Sequence, residues 1–480
     1  MTAAVAAAAV AEEKDQAREG WGVVVSPQTI RRAVQGFAKE VRGMKKKAGL
    51  AGRTERELAQ KAKPLLREAL REILQAHVDQ CPPQCPVCGA KLENTRVKER
   101  TIRTQWGEVT IRRTQGYCRY CQQWFTPADG TLGLEAHAQN SPDWAEKMAY
   151  LATKVPATEA AEILEHLTGE TAAPSSVERQ ARRTGEKALA QRSRDEARAL
   201  SPEGRTRFAL EQRDRLPREP FVLILLMDAW MVRERDHWGE SEARRACGEE
   251  PQRWHDVKTA RFYRIVSSDW HEGSRPSLKE SGYVATRKEA EGFSELVYAE
   301  ALRQGALQAE RVIVVGDGGV WIWKIAEDRF PWAERTLDCY HGTEHLSALA
   351  EVLYGEGTPE ARQWFHPLRR QLLQEGGAPI LQTLRDLAAL RAGSPEFPDL
   401  ERERGYFEKH RDDMDYPAKR RRGEPIGSGA IESACKQYQV RFKRGGQFWS
   451  RRWDEGLLEL KSRQLSGRWH ELWPHLCQPN

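Results

Sequence analysis

The sequence has no apolar run approaching the roughly 18 residues that a helix needs to cross a bilayer, so it carries no membrane-spanning signal. It also lacks a decisive charge. Its 76 Lys and Arg stand against 70 Asp and Glu, and the resulting +6 is too small to argue for a polyanionic partner from composition. No internal repeat and no long low-complexity segment interrupts the 480 residues. Hydrophobic residues make up 39% and charged residues 30%, which fits a globular chain whose core comes from a few periodic segments. The Ala-rich stretch 3–11 has no basic flank and runs into Glu12-Glu13-Lys14-Asp15, so it reads as a helix start rather than a secretory signal. Nine cysteines are an odd number, and four sit in two close pairs; this argues for metal binding in a reducing, intracellular compartment over a disulfide framework. A chain of this length is expected to hold about three or four domains.

Periodicity supplies the elements. Residues 1–80 read as helical, with Val34, Phe37 and Val41 on one face and Leu65, Leu66, Leu70 and Ile73 on another. Residues 98–113 alternate like a hairpin around Trp106-Gly107-Glu108. Helical patterning returns over 131–200. There the segment 156–168, the small-residue turn 171–176 and a Ser-capped helix 177–189 have the form of a helix-turn-helix. Arg179, Arg182 and Arg183 on its second helix are placed to enter a major groove, although an ordinary helical hairpin with exposed arginines gives the same pattern. After a charged linker at 205–219, the continuous run 221–227 predicts a strand buried on both faces and ended by Asp228. Further strands are expected at 257–266, at 311–315 just before Asp317, and at 335–337; a helix is expected at 290–303. From 345 to 411 the chain is helical with Gly-marked breaks, and a last long helix starts near Gly429.

Cys85-x-x-Cys88 and Cys118-x-x-Cys121, with 29 residues between the pairs, form the two knuckles of a zinc ribbon. The hairpin brings them together so that four thiolates hold one structural Zn²⁺. Cys81 competes with Cys85 at a less usual spacing. A second constellation is acidic. Asp228 and Asp317 terminate apolar strands, and Glu432 lies in the first turns of a helix behind Gly427-Ser428-Gly429. Carboxylates emerging at adjacent strand ends, joined by a third from a packed helix, suit two Mg²⁺ (or Mn²⁺) ions about 3.5–4 Å apart.

Four motifs in order give a family resemblance. Leu226-Met227-Asp228, then Val315-Gly316-Asp317-Gly318-Gly319-Val320-Trp321-Ile322-Trp323, then Leu337-Asp338-Cys339-Tyr340-His341-Gly342-Thr343-Glu344-His345-Leu346, then Gly427-Ser428-Gly429-Ala430-Ile431-Glu432-Ser433-Ala434-Cys435-Lys436 resemble bacterial insertion-sequence transposases of the ISKra type. With the cysteine knuckles and the Trp106-Gly107-Glu108-Val109 turn, the likeness covers about residues 80–475. The family shares an RNase H-like core with Mutator-like transposases. The resemblance implies Asp228, Asp317 and Glu432 as the catalytic metal-binding triad and Asp338 with His341 as an accessory element beside it. By local pattern alone, Asp338-x-x-His341 reads as a hydrogen-bonded turn rather than a ligand pair, and Trp321 and Trp323 read as core residues. One departure stands out: the family pattern has Asp-Gly at the first acid, and this chain has Ala229.

The expected architecture is therefore multidomain α+β. It comprises an N-terminal helical region (1–80), a zinc ribbon (81–130), a helix-turn-helix-like DNA-binding region (131–200) and an RNase H-like α/β catalytic core in two parts (205–345 and 425–480), split by an all-helical insertion (346–424). Lys436, Arg441, Lys443 and Arg444 follow Glu432 and are expected on its helix, gripping phosphates. The basic runs Lys45-Lys46-Lys47 and Lys419-Arg420-Arg421-Arg422 point the same way. The expected partners are DNA (element ends and target) and further copies of the chain on that DNA, in the cytoplasm and associated with the nucleoid. Two other functions fit the same residues: a catalytically inactive, domesticated DNA-binding protein, and an RNase H-like nuclease without strand transfer.

Overall fold

The computed structural model describes residues 31, 34–36, 38–39, 50–235, 239–250, 253–266, 281–450, 453–474 and 476. The expected apolar face through Phe37 and Val41, the Ala-rich start and the run Lys45-Lys46-Lys47 lie outside them. The chain is mixed α+β with two sheets and divides into two compact units. The first contains residues up to Met148, Thr158–Pro174 and the C-terminal tail from His475; the second contains Ala149–Ala157 and Ser175–Pro474.

In the first unit a long helix, α1 (Leu50–Gln80), packs on the antiparallel hairpin β1 (Glu93–Thr104) and β2 (Gly107–Cys118), which β3 (Gln123–Phe125) extends. Alternation decides which face is covered: Ile102, Val109 and Ile111 are buried with Val78 of α1, while Thr101 and Thr110 between them face out. The tight turn is Gln105-Trp106, because Gly107, already in strand pairing opposite Thr104, has φ 107°. Three helices follow: α2 (Pro127–Thr131), α3 (Pro142–Ala152) and α4 (Ala157–Thr168).

After Ala149–Ala157, the second unit resumes at Ser175 within α5 (Pro174–Leu200) and continues with α6 (Pro202–Glu211). The expected linker at 205–219 is thus partly helical. The Ser201 hydroxyl accepts from the Gly204 N–H to cap α6, and Phe208 is buried, so one apolar anchor folds a charged segment. Next come β4 (Phe221–Glu234), α7 (Ser241–Ala246), β5 (Arg253–Val266), β6 (Gly282–Thr286), α8 (Ala290–Arg303), β7 (Arg311–Gly316), α9 (Val320–Arg329) and β8 (Glu334–Leu337). The strands form one sheet in the order β6-β5-β4-β7-β8, with β5 antiparallel to β4 and β6, and β7 parallel to β4 and β8.

The unbroken apolar run of β4 is needed because both faces of the sheet are covered. Leu223, Leu225 and Met227 join a core with Phe293, Val297 and Ile322, whereas Ile224 and Leu226 join another with Ile431, Tyr438 and Leu458. Each fully buried Leu or Ile contributes about 1.5–3 kcal/mol. Contrary to expectation, β4 does not stop at Asp228. Its pairing with β7 ends at Leu226↔Val315, but the β5 ladder carries it on to Glu234↔Arg253. Beyond Asp228 it alternates exposed Met231 with buried Trp230 and Val232, as a strand covered on one face does. The helices α10 (Cys339–Tyr354), α11 (Pro359–Glu375), α12 (Gly377–Leu390), α13 (Phe397–Lys409) and α14 (Tyr416–Arg421) pack within this unit around Leu346, Leu372, Leu384 and Phe407. α15 (Gly429–Phe442) and α16 (Asp454–Leu465) close the opposite face.

Candidate functional site

Two groups of side chains stand out, one in each unit, and the first could hold a metal ion. In the first, Cys85, Cys88, Cys118 and Cys121 place their sulfurs within 4.8 Å of one another. Cys85 and Cys121 are 3.8 Å apart, and Cys88 and Cys118 are 3.5 Å apart. A tetrahedral ion with bonds of about 2.3 Å requires sulfur–sulfur edges of about 3.8 Å, so the set can hold Zn²⁺. The turn at Gly89, φ 74°, folds the first knuckle back so that Gly89 N–H reaches Cys85 O at 2.9 Å. Burial opposes ionisation of Cys85, but backbone N–H groups of Cys88 and Val87 aimed at its sulfur bring the thiol down to about 7. Cys121 is pushed up to about 12, first by the Cys88 sulfur and then by burial and Cys85. Four thiols this close favour a cation among them. Cys81 is not in the set; its sulfur lies 3.8 Å from the Thr131 hydroxyl.

The second cluster gathers Asp228, Asp317 and Glu432. Asp228 sits two residues past the last β4–β7 pair, and Asp317 directly follows the end of β7. Two acids thus leave neighbouring parallel strands where the sheet opens. Glu432 comes from the first turns of α15, which packs on the same sheet through Ile431, Ala434 and Cys435. The Ala229 N–H donates to Asp228 Oδ1 at 2.7 Å, Cys435 Sγ stands 3.7 Å from Oδ2, and the Gly319 N–H donates to Asp317 Oδ1 at 2.9 Å. Burial raises the Asp228 carboxyl above its ordinary range, and the charges of Asp317 and Glu432 push it further. Among the described residues, the four cysteines are the set that closes within 4.8 Å; the three acids stand wider.

No family model matches this chain, and no curated protein matches it.

Asp338, 5% exposed, is the N-cap of α10 and takes the Tyr340 N–H at 3.0 Å and the Ser428 hydroxyl at 2.5 Å. Ser428 Oγ also lies 3.5 Å from Glu432 Oε1, so Asp338 is tied to the loop that presents the third acid. Burial raises the Asp338 carboxyl, and these hydrogen bonds partly offset it. His341 turns to Glu344, at 3.2 Å, and edges onto His345, ring to ring 5.1 Å. Trp323 is buried, and half-buried Trp321 packs on Phe293 at 5.8 Å, as core residues do.

A third layer of this site left no signal in the sequence. His345 Nδ1 lies 2.6 Å from Glu403, and its ring stacks on Tyr406 at 3.7 Å. The Tyr406 hydroxyl has no hydrogen-bond partner among the described residues and lies 3.2 Å from where a Cβ on Gly318 would stand, against the Asp317 loop. Glu403 and Tyr406 look like any two residues three apart on an amphipathic helix; packing alone brings α13 here.

The expected DNA contacts separate into distinct groups. Arg179 is exposed, half-buried Arg182 lies 4.7 Å over Trp453 and pairs with Glu186 at 3.1 Å, and Arg183 is half-buried. The two helices of the expected helix-turn-helix fall largely in different units. Lys436 projects with its side chain 75% exposed, 3.9 Å from Glu432. Arg441 is a correction: it is 6% exposed, donates to Ala152 O at 2.7 Å and lies 5.0 Å over Trp449, because its turn of α15 faces inward. Lys443 caps α15 and Arg444 lies beyond it, so neither is on the helix body as expected. In the run 419–422, Lys419 is buried, with Glu334 at 3.9 Å.

Proposed function

We propose that this chain is a DDE-type transposase of the ISKra-like insertion-sequence group, cutting and joining DNA strands at Asp228, Asp317 and Glu432. The observation that carries this reading is the meeting of those three acids, drawn from β4, the end of β7 and α15, at the open end of one sheet. Numbered in chain order, the five strands run 3-2-1-4-5, with the first three antiparallel and the last two parallel to the first. An RNase H-like core has this arrangement, and it supports that assignment.

Mg²⁺ or Mn²⁺, when bound as a pair, supplies activation of the attacking oxygen and charge neutralisation on the leaving oxygen of an in-line phosphodiester displacement. The protein's own part is positioning. Backbone N–H groups of Ala229 and Gly319 fix the rotamers of Asp228 and Asp317, and the Asp338–Ser428 bond fixes the loop ahead of Glu432. Lys436, one turn further along α15, offers an exposed cation to the phosphate backbone beside the acids. Zn²⁺ in the cysteine set would be structural.

The test is Mg²⁺-dependent nicking of labelled DNA taken from the sequence flanking the gene, followed by joining of pre-cut ends to a target. Wild type should do both, and Asp317→Asn should lose at least about a hundredfold in each. Equal rates for the two proteins would remove the catalytic assignment. Nicking without joining would identify a nuclease instead.

A further inference from the structure

The ribbon sheet changes character along one face. At its far end that face carries Ile102, Val109 and Ile111, buried with Val78 of α1. Midway it carries Arg100 and Arg113, both paired with Asp129. At the zinc end the same face carries exposed Arg96 and Trp124 with half-buried Gln115 and Tyr117, Arg96 opposite Gln115 across β1–β2 and Tyr117 opposite Trp124 across β2–β3. Arg96 Nε and Nη2 both donate to Gln115 Oε1, at 3.1 and 2.9 Å, and its guanidinium lies 4.5 Å over the Trp124 ring. Trp124 in turn sits 5.7 Å from Tyr117 and remains 45% exposed. Nearby, Arg119 lies 4.9 Å over Tyr120, which is 67% exposed.

We propose that this zinc-proximal face is a platform for single-stranded nucleic acid, on which bases stack against the Arg96–Trp124 pair. A guanidinium held flat by an amide on one side and an indole beneath it is a preformed stacking plane. Arginine planes and aromatic rings take unpaired bases of any sequence, because every base has a π-face. A duplex keeps its bases stacked internally and has nothing to offer such a plane. Charge selects the same partner: residues 81–131 contain eight Lys and Arg against four Asp and Glu, with exposed Lys98 beside Arg96. Knuckle residues Cys118 and Cys121 flank the strand ends that carry Tyr117 and Trp124, so a bound zinc ion would hold the platform in shape. The proposal concerns the first unit alone and does not rest on the acidic cluster.

The experiment uses the full-length, zinc-loaded protein in buffer free of Mg²⁺ and chelator. Anisotropy of a labelled oligothymidine about 12 nucleotides long is compared with that of a duplex of equal length. Arg96→Ala and Trp124→Ala should each weaken oligothymidine binding about tenfold, and Trp124→Phe should keep most of it. Duplex affinity and zinc content should stay at the wild-type level. Asp317→Asn should bind oligothymidine like wild type, whatever becomes of nicking. If Trp124→Ala loses zinc, Arg96→Ala decides, since Arg96 is outside the metal set. Undiminished oligothymidine binding by Arg96→Ala, or equal losses for duplex and single strand, would overturn the platform.

Discussion

Asp228 is held where burial and two neighbouring acids oppose its ionisation, which is unfavourable for the ion-free fold and favourable for a cation site. Its folded-state pKa is raised, so it costs the fold nothing below the unfolded value. The cost grows between the two values and is complete above the raised one, so the ion-free protein gains stability as pH falls through that interval. Asp228→Asn removes the cost at neutral pH. It should raise the ion-free melting temperature by about 2 °C, on the order of 1 kcal/mol, while abolishing Mg²⁺-dependent nicking. Calorimetry without divalent ions checks this; a lower melting temperature would mean that Asp228 is stabilised where it stands. Ala229 lies in regular strand pairing opposite Lys258 and is not among the described residues with positive φ. The backbone here therefore makes no demand for the glycine of the family pattern. The two cations Lys436 and Arg441 should separate on substitution. Lys436→Gln should lower the slope of log affinity for DNA against log salt by about 1 and leave melting unchanged. Arg441→Gln should cost about 1–3 kcal/mol of stability, because the buried Ala152 carbonyl loses its donor.

Elements meet the way their small residues allow. Gly185 of α5 and Gly456 of α16 touch so closely that a Cβ at 185 would stand 3.0 Å from backbone atoms of 456. Neither helix can yield without moving the face that covers β6, so Gly185→Ala should destabilise the second unit by about 1–3 kcal/mol, measured by denaturant unfolding. The loop before α15 obeys the same logic. A Cβ on Gly427 would stand 3.1 Å from the Tyr340 ring and 3.4 Å from Asp338 Oδ1, so Gly427→Ala should displace Glu432 and cut nicking more than it cuts stability. In the cysteine-bearing sheet the covered apolar set is small, so a zinc ion held by the four cysteines would carry much of its stability. Cys118→Ser should release zinc, measured colorimetrically, and expose the β1–β2 hairpin to protease while the second unit melts as before.

For the molecule as a whole, the first compact unit holds a four-cysteine cluster that could bind a soft metal ion, and the acids proposed to hold hard Mg²⁺ lie in the second. Removing zinc and withholding Mg²⁺ are therefore expected to have separable effects, on ribbon integrity and on cleavage respectively. On the proposed transposase reading two element ends must meet, so end-bound protein should sediment as a dimer or larger assembly. A monomer on paired ends would count against strand transfer. No helix among the described residues is long and apolar enough to cross a membrane.

Local pattern was enough for the elements themselves: the run at 221–227, the helix at 290–303, the breaks at Gly355 and Gly376 and the two cysteine knuckles each follow from residues close in the chain. The same pattern misjudged the end of β4, because only the neighbouring strand β5 supplies the ladder that carries it past Asp228. It placed Arg441 outside, because a helix shows its inward face only when its partner is known. It was silent about Glu403 and Tyr406 and about the bond from Ser428 to Asp338, because these contacts join positions separated by scores of residues. Sequence by itself determined which side chains are available and which segments bury their faces. Tertiary structure decided which acids lie near enough to act on Asp228, since the energy of like charges depends on distances through space that no spacing along the chain specifies.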